Sequence, residues 1–410
     1  MLRRVLHALP LIALATATSA FAQTEAPAPA PAPANNDIIV TARSLAQTAA
    51  DLAACLARHC PPDEDVAATL AHAENQFVEG DYRDARGTML ASLRRNREHR
   101  EQYPIEVSDL MRANGRVAAH LGEARAYQLS VLDMRDTLRA ALPENDARVL
   151  AAQIEVADSR VRLGYVDEAR RSYADLATRA SALGVPRVAA FARIRQAMID
   201  IPREQSQRVG ARVREATAHL EAMVGQDTVI GTDLALLAEI TLARIEREVG
   251  NNARTDALVA RFTAGQGSRR PLLISSDPIR LPTAESAAAR AGEGGSALAR
   301  MQMMSVDNRW IDVGFWINGN GRVTDFEVLR SSGDNDWSRY VAASVNSRVY
   351  TPIHSTDGLP SQGFYIVERY TLTADFTDDC TGSHLRCRSS ALRIERMDLT
   401  PIESANTQPS

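Results

Sequence analysis

Two cysteine pairs are the residues of this chain whose type and spacing offer the most chemistry. Cys55 and Cys60 flank His59, and Cys380 and Cys387 flank His384. A pair this close in sequence is either a short-loop disulfide of an oxidising compartment or part of a Cys/His metal site. Each cluster supplies three ligands where a closed structural zinc site uses four, and neither spacing is Cys-x-x-Cys. Two disulfides, Cys55–Cys60 and Cys380–Cys387, are therefore the simpler expectation, with no metal. Residues five apart on a continuous helix are too distant to bond, so a helix carrying Cys55 must end near Cys60. Pro61-Pro62 supplies the stop.

An absence decides as much. All 47 basic residues of the 410 are arginine; there is no lysine. That excludes the lysine of a phosphate-binding loop, a Schiff-base amine and the strand lysine of a protein kinase. No His-Glu-x-x-His, Gly-x-Ser-x-Gly or strand-bound Gly-x-Gly-x-x-Gly is present either. The eight histidines are scattered, and acidic pairs such as Glu64-Asp65 and Asp378-Asp379 fall at turns or helix starts. The reading is of a non-enzyme without cofactor or evident small-molecule substrate. A net charge of −4 with dispersed arginines argues against nucleic acid. The expected partners are proteins or peptides.

Residues 1–22 read as a secretory signal: Arg3 and Arg4, an apolar stretch from Leu9 to Phe21, then Ala20-Phe21-Ala22. The stretch is short for a bilayer span. The expectation is export to the periplasm, with an inner-membrane anchor as the alternative. Residues 23–43 form an Ala/Pro linker ending in the β-prone run Asp37, Ile38, Ile39, Val40, Thr41, Ala42. Residues 44–264 carry helical periodicity. Gly80, Gly122 and Gly164 recur at intervals of 42 residues, with looser echoes at Gly210 and Gly250. A glycine that ends one helix, followed by small residues, describes stacked helical hairpins. They resemble tetratricopeptide repeats and imply a surface for a protein partner. Residues 265–308 are a connector in which Pro271–Ile274 could add a strand and Ala284–Ala291 a short helix.

Residues 309–377 alternate. Ile311, Val313, Phe315 and Ile317 share one face of a strand, and Asn318-Gly319-Asn320-Gly321 signals a hairpin. A strand at 323–330 follows, then Ser331-Ser332-Gly333-Asp334 capping a helix from about 336 to 348, then a strand at 364–376. The run WIDVGFWINGNGRVTDFEVLRSSG (310–333), the helix ending in Ser347-Arg348-Val349-Tyr350-Thr351-Pro352, and the Gly358-Leu359-Pro360 turn resemble the C-terminal domain of the TonB energy transducers. The likeness spans about 70 residues of 410. It implies a small α+β unit (ββαβ) that recognises an extended receptor segment by strand addition. The nominated edge residues are Tyr365, Val367, Arg369 and Thr371. A TonB-type adaptor is thus expected, with outer-membrane receptors or a TonB system among its partners. The alternatives are a membrane-anchored transducer or an envelope scaffold that binds no receptor. Asp37–Ala42 itself resembles a TonB box. Residues 378–410 form a Cys-containing tail; Leu392, Ile394 and Met397 in it alternate and could add a strand over the nominated edge.

Overall fold

A computed structural model describes residues 43–200, 207–248, 250–264, 271–282, 309–353, 363–377 and 387–400. The leader, the linker with Asp37–Ala42, the segment Ala284–Ala291, the turn Gly358–Pro360 and Cys380 lie outside them. No helix among the described residues is long and apolar enough to cross a membrane.

The first part is helical: α1 Leu45–Ala57, α2 Pro62–Glu79, α3 Tyr82–Arg95, α4 Pro104–His120, α5 Ala124–Ala141, α6 Ala147–Arg162, α7 Val166–Ala182, α8 Pro186–Asp200, α9 Gln207–Glu221, α10 Asp227–Ile230, α11 Thr232–Glu248 and α12 Ala253–Ala264. Consecutive long helices pack as hairpins. The repeated glycines build one turn three times. Gly80, Gly122 and Gly164 have φ of +91, +73 and +84, a region that costs a residue with a Cβ. At each, the glycine N–H and the next N–H bond back into the finished helix, as in Asp81 N to Gln76 O, Glu123 N to Ala118 O and Tyr165 N to Arg160 O, all 2.8 Å. This is the Schellman closure, which satisfies carbonyls the helix end would orphan.

Ion pairs span slightly more than one glycine interval. Arg112 pairs with Glu155, Asp167 with Arg212, Arg170 with Glu215, and Arg187 with Asp233, across separations of 43, 45, 45 and 46 residues. Each joins one hairpin to the next. Inside the first hairpin, the buried Asp65 carboxylate accepts from Thr69, Ser92, Arg95 and Asn96. Burial opposes its charge, but the bonds from Arg95, Asn96 and Thr69 hold the carboxyl below its ordinary pKa.

The second part comprises β1 Leu273–Ser275, β2 Arg309–Ile317, β3 Val323–Ser331, α13 Ser338–Asn346, β4 Val349–Tyr350, β5 Phe364–Thr377 and β6 Cys387–Asp398. One antiparallel sheet has the order β3-β2-β5-β6, and β1 pairs with β4. One face of the larger sheet places Ile311, Val313, Phe315, Ile317, Phe364, Ile366, Tyr370 and Leu372 against Trp337, Val341 and Val345 of the α13 segment. Within that core Arg348 pairs with Glu368, both buried. Arg348 also donates to the Tyr350 and Tyr370 hydroxyls at 3.1 and 2.6 Å.

The alternating tail does add a strand, β6, beside β5, so the sheet extends to Asp398, past the expected bound of 377. Leu392 and Ile394 provide the reason, since both pack on the apolar core. Three other details differ from the sequence reading. Val349–Tyr350, read as the helix end, is a strand paired with β1. The helix starts at Ser338 without a side-chain cap. Ser332 instead accepts from Trp310 N at 2.8 Å and closes the end of β2. Finally, the described helical and β parts fall in the same unit and pack on each other.

Candidate functional site

The second face of the sheet explains that union. On β2 the residues between the core positions are Trp310, Asp312, Gly314 and Trp316, paired across to Thr371, Arg369, Val367 and Tyr365 of β5. This row divides into a half that is docked on the helices and a half that is not.

The docked half centres on Arg369, which is fully buried (0% exposed) with Asp312 at 2%. The Arg369 guanidinium donates to both Asp312 carboxylate oxygens, at 2.6 and 2.8 Å. It also donates to the Phe77 and Val78 carbonyls, and it lies 3.9 Å from the Trp310 ring centroid. Those carbonyls belong to the last turn of α2, the negative end of the helix, which has no basic residue of its own. Arg330 adds a bond to Val78 O and another to Asp312, both 3.0 Å. Two residues farther along β5, the Thr371 hydroxyl bonds the Tyr82 hydroxyl and His120 Nδ1, each at 2.8 Å. Burial, then the nearby cations Arg162, Arg369 and Arg393, push the His120 pKa down to about 3, so the imidazole is neutral. Burial raises the Tyr82 hydroxyl to about 12.

The next helix end repeats the arrangement. Phe376 N donates to Gly122 O at 3.1 Å. Arg388 donates to Leu121 O at 2.8 Å, and Arg162 joins Ala119 O to the Glu395 carboxylate. The glycine turns are thus the seat of the sheet. A methyl group at Gly80 would collide with the Trp310 indole, and one at Gly122 with the Ala374 carbonyl, whereas at Gly164 it would meet nothing. Farther along the helices, Arg244 donates to the Leu273 and Ile274 carbonyls of β1 at 3.0 and 2.9 Å.

The nominated binding edge is therefore corrected. Tyr365, Val367, Arg369 and Thr371 lie on a strand paired with β2 from Phe364 to Leu372 and with β6 from Glu368 to Thr377. Leu399 N closes onto Val367 O at 2.9 Å. Arg369 and Thr371 are buried against the helices. Of the four, Tyr365 alone keeps an outer side without a described strand partner. The physical cause is complementarity: β6 brings apolar Leu392 and Ile394 to one face and the acidic partner of Arg162 to the other.

Among the described residues β3 pairs only with β2, which makes it the open edge. Beside it lies the undocked half-row. Trp316 and Leu329 are each 38% exposed. The Tyr365 ring lies 5.0 Å from that of Trp316, tilted by 49°, and crosses over Gly314 to donate to Glu327 at 3.1 Å. Burial and then Glu327 raise that hydroxyl to about 12. β3 carries two register shifts, and Asp325 sits at φ +54, the kind of bulging that discourages indiscriminate edge pairing. Alternation in the sequence reveals the two faces. It does not reveal which half-row is covered, because that depends on carbonyls nearly 300 residues away.

Cys55 and Cys60 are joined by a disulfide with Cα atoms 5.2 Å apart. Cys387 opens β6. The buried Arg369, Asp312, Arg348, Glu368 and His120 side chains are held by hydrogen bonds within the fold.

No family model matches the chain, and no curated protein matches it. Two solved structures are similar to it, a Podosopora anserina putative kinesin light chain with nearly identical TPR-like repeats and a single-residue variant of the same protein. Each shows 15% identity and a TM-score of 0.38, and they cover 50% of this chain and 94–95% of theirs. The hairpin architecture rests on the repeated turns and ion pairs described above.

Proposed function

We propose that this protein is a non-catalytic, protein-binding scaffold of the bacterial periplasm. In it, a TonB-like β unit is fixed on helical hairpins and offers strand β3 to an extended segment of an outer-membrane or other envelope protein. The observation that carries this reading is the open β3 edge beside Trp316, Leu329 and Tyr365. An edge supplies unpaired backbone groups for strand addition, and neighbouring aromatic side chains supply anchors. The hairpin–helix–strand order of 310–376 and the export-type N-terminus support the family and compartment. The coverage of β5 by β6 and by the helices favours a second reading, an envelope scaffold whose β unit binds no receptor.

Passing envelope extract over the immobilised full chain tests both. Retention of outer-membrane receptors, lost with Trp316→Ala and Leu329→Asp, supports strand addition at β3. Retention of other envelope proteins alone favours the second reading. Equal retention by the variants places the contact off the sheet.

A further inference from the structure

The end of α1 is a Schellman closure made without glycine. His59 sits at φ +52, Cys60 N donates to Cys55 O at 3.1 Å, and His59 N to Leu56 O at 3.2 Å. That closure brings its first and last residues together, usually as an apolar contact; here they are Cys55 and Cys60. The α2 helix begins at once with Pro62, and its first turn carries Glu64. One carboxylate oxygen of Glu64 and both sulfurs lie within 4.8 Å of one another. His59, the imidazole suggested by sequence spacing, is not in this cluster; Glu64 takes its place. Beside the cluster runs a groove lined by Ala54, Cys55, Glu64, Ala67, Ala68 and Ala71; Cys55 itself is buried, Cys60 is half-buried and Glu64 is exposed.

We propose that reduction of the Cys55–Cys60 bond converts this corner into a binding site for a thiophilic divalent cation of the zinc class, with Cys55, Cys60 and Glu64 as ligands and water in the fourth position. The reductant is a dithiol. Its thiolate attacks one sulfur, the S–S bond breaks through a mixed disulfide, and the dithiol leaves as its own disulfide. Two electrons and two protons then reside on Cys55 and Cys60. The cation displaces both thiol protons to solvent as it binds. Zinc holds sulfur at about 2.3 Å and carboxylate oxygen at about 2.0–2.2 Å, so ligand atoms on one ion are about 3.5–4 Å apart, within the spread seen here. Cys60 directly precedes the N-terminus of α2, whose positive end favours a thiolate. Arg58 pairs with Glu64, but both side chains are largely in solvent, 59% and 46% exposed. A pair so exposed holds weakly and gives way to a cation.

The test uses the full chain carrying Cys380→Ser and Cys387→Ser, so that one cysteine pair remains. Zinc is titrated against a chromogenic chelator, before and after dithiol reduction and oxygen-free desalting. The expected result is one equivalent bound after reduction and none before, with a thiolate-to-metal charge-transfer band when cobalt replaces zinc. Glu64→Gln should weaken binding at least tenfold with unchanged helical circular dichroism. Uptake by the reduced protein no greater than by its Cys55→Ser variant overturns the site. Binding undiminished in Glu64→Gln overturns the assignment of the third ligand.

Discussion

The two faces of the β3-β2-β5-β6 sheet are built by different rules. Against α13, the sheet buries mainly aliphatic and aromatic side chains, beside the Arg348–Glu368 pair, and their contribution scales with area and tolerates changes of shape. Against the hairpin turns, it buries Asp312, Arg369, Thr371 and His120, whose value depends on each partner being in place. The first face would form with many partners. The second fits one set of helix-end carbonyls, and so fixes where the sheet sits.

Isosteric changes should separate the two rules most sharply. Asp312→Asn keeps the volume but leaves Arg369 buried without its counter-charge, and should cost about 3–5 kcal/mol. Ile311→Leu, the preceding residue of β2 on the other face, should cost no more than about 1.5 kcal/mol. Urea unfolding of both variants measures the contrast, and equal costs would break it.

The turn glycines grade the seat itself. Gly164→Ala should cost about 1–2 kcal/mol, from its left-handed backbone alone. Gly122→Ala should cost about 1–3 kcal/mol more, because the added methyl meets the Ala374 carbonyl. Thermal unfolding of the two alanine variants gives the difference. Thr371→Val then removes the shared partner of Tyr82 and His120, with an expected loss of about 1–3 kcal/mol, read from the same urea curves.

Acid gives the most specific effect. His120 has a folded pKa of about 3 against about 6.5 when unfolded. The unfolded chain therefore takes up this proton first. The stabilisation from neutral His120 is complete above pH 6.5 and is lost as pH falls from there toward 3. His120→Gln should flatten that part of the curve of urea midpoint against pH. An unchanged curve would mean that the imidazole is not held neutral.

Period and alternation expose much of this molecule in its sequence. The spacing of Gly80, Gly122 and Gly164 announces the hairpins, and Ile311 to Ile317 announce the apolar face. Cys55, Cys60 and Pro61 mark a helix end. Less visible is anything that depends on distant pairing. Arg369 alternates like a solvent-facing residue, yet it is buried, because the carbonyls that neutralise it stand on α2. Ile394 and Leu392 show the alternation of β6, but the sequence does not say that its Glu395 meets Arg162 on the helices. Val349 and Tyr350 read as a helix end because their partner, β1, lies across the connector.

The bonds from Tyr82 and Phe77 to Thr371 and Arg369 join residues 289 and 292 positions apart. They carry a consequence for the order of assembly. The first hairpin is synthesised long before β5 exists, so its last-turn carbonyls and the Tyr82 ring begin life facing water. Contacts this remote form late and slowly. The chain should therefore pass through a state with helices formed and the glycine turns still vacant, and a truncation before residue 364 should halt it there.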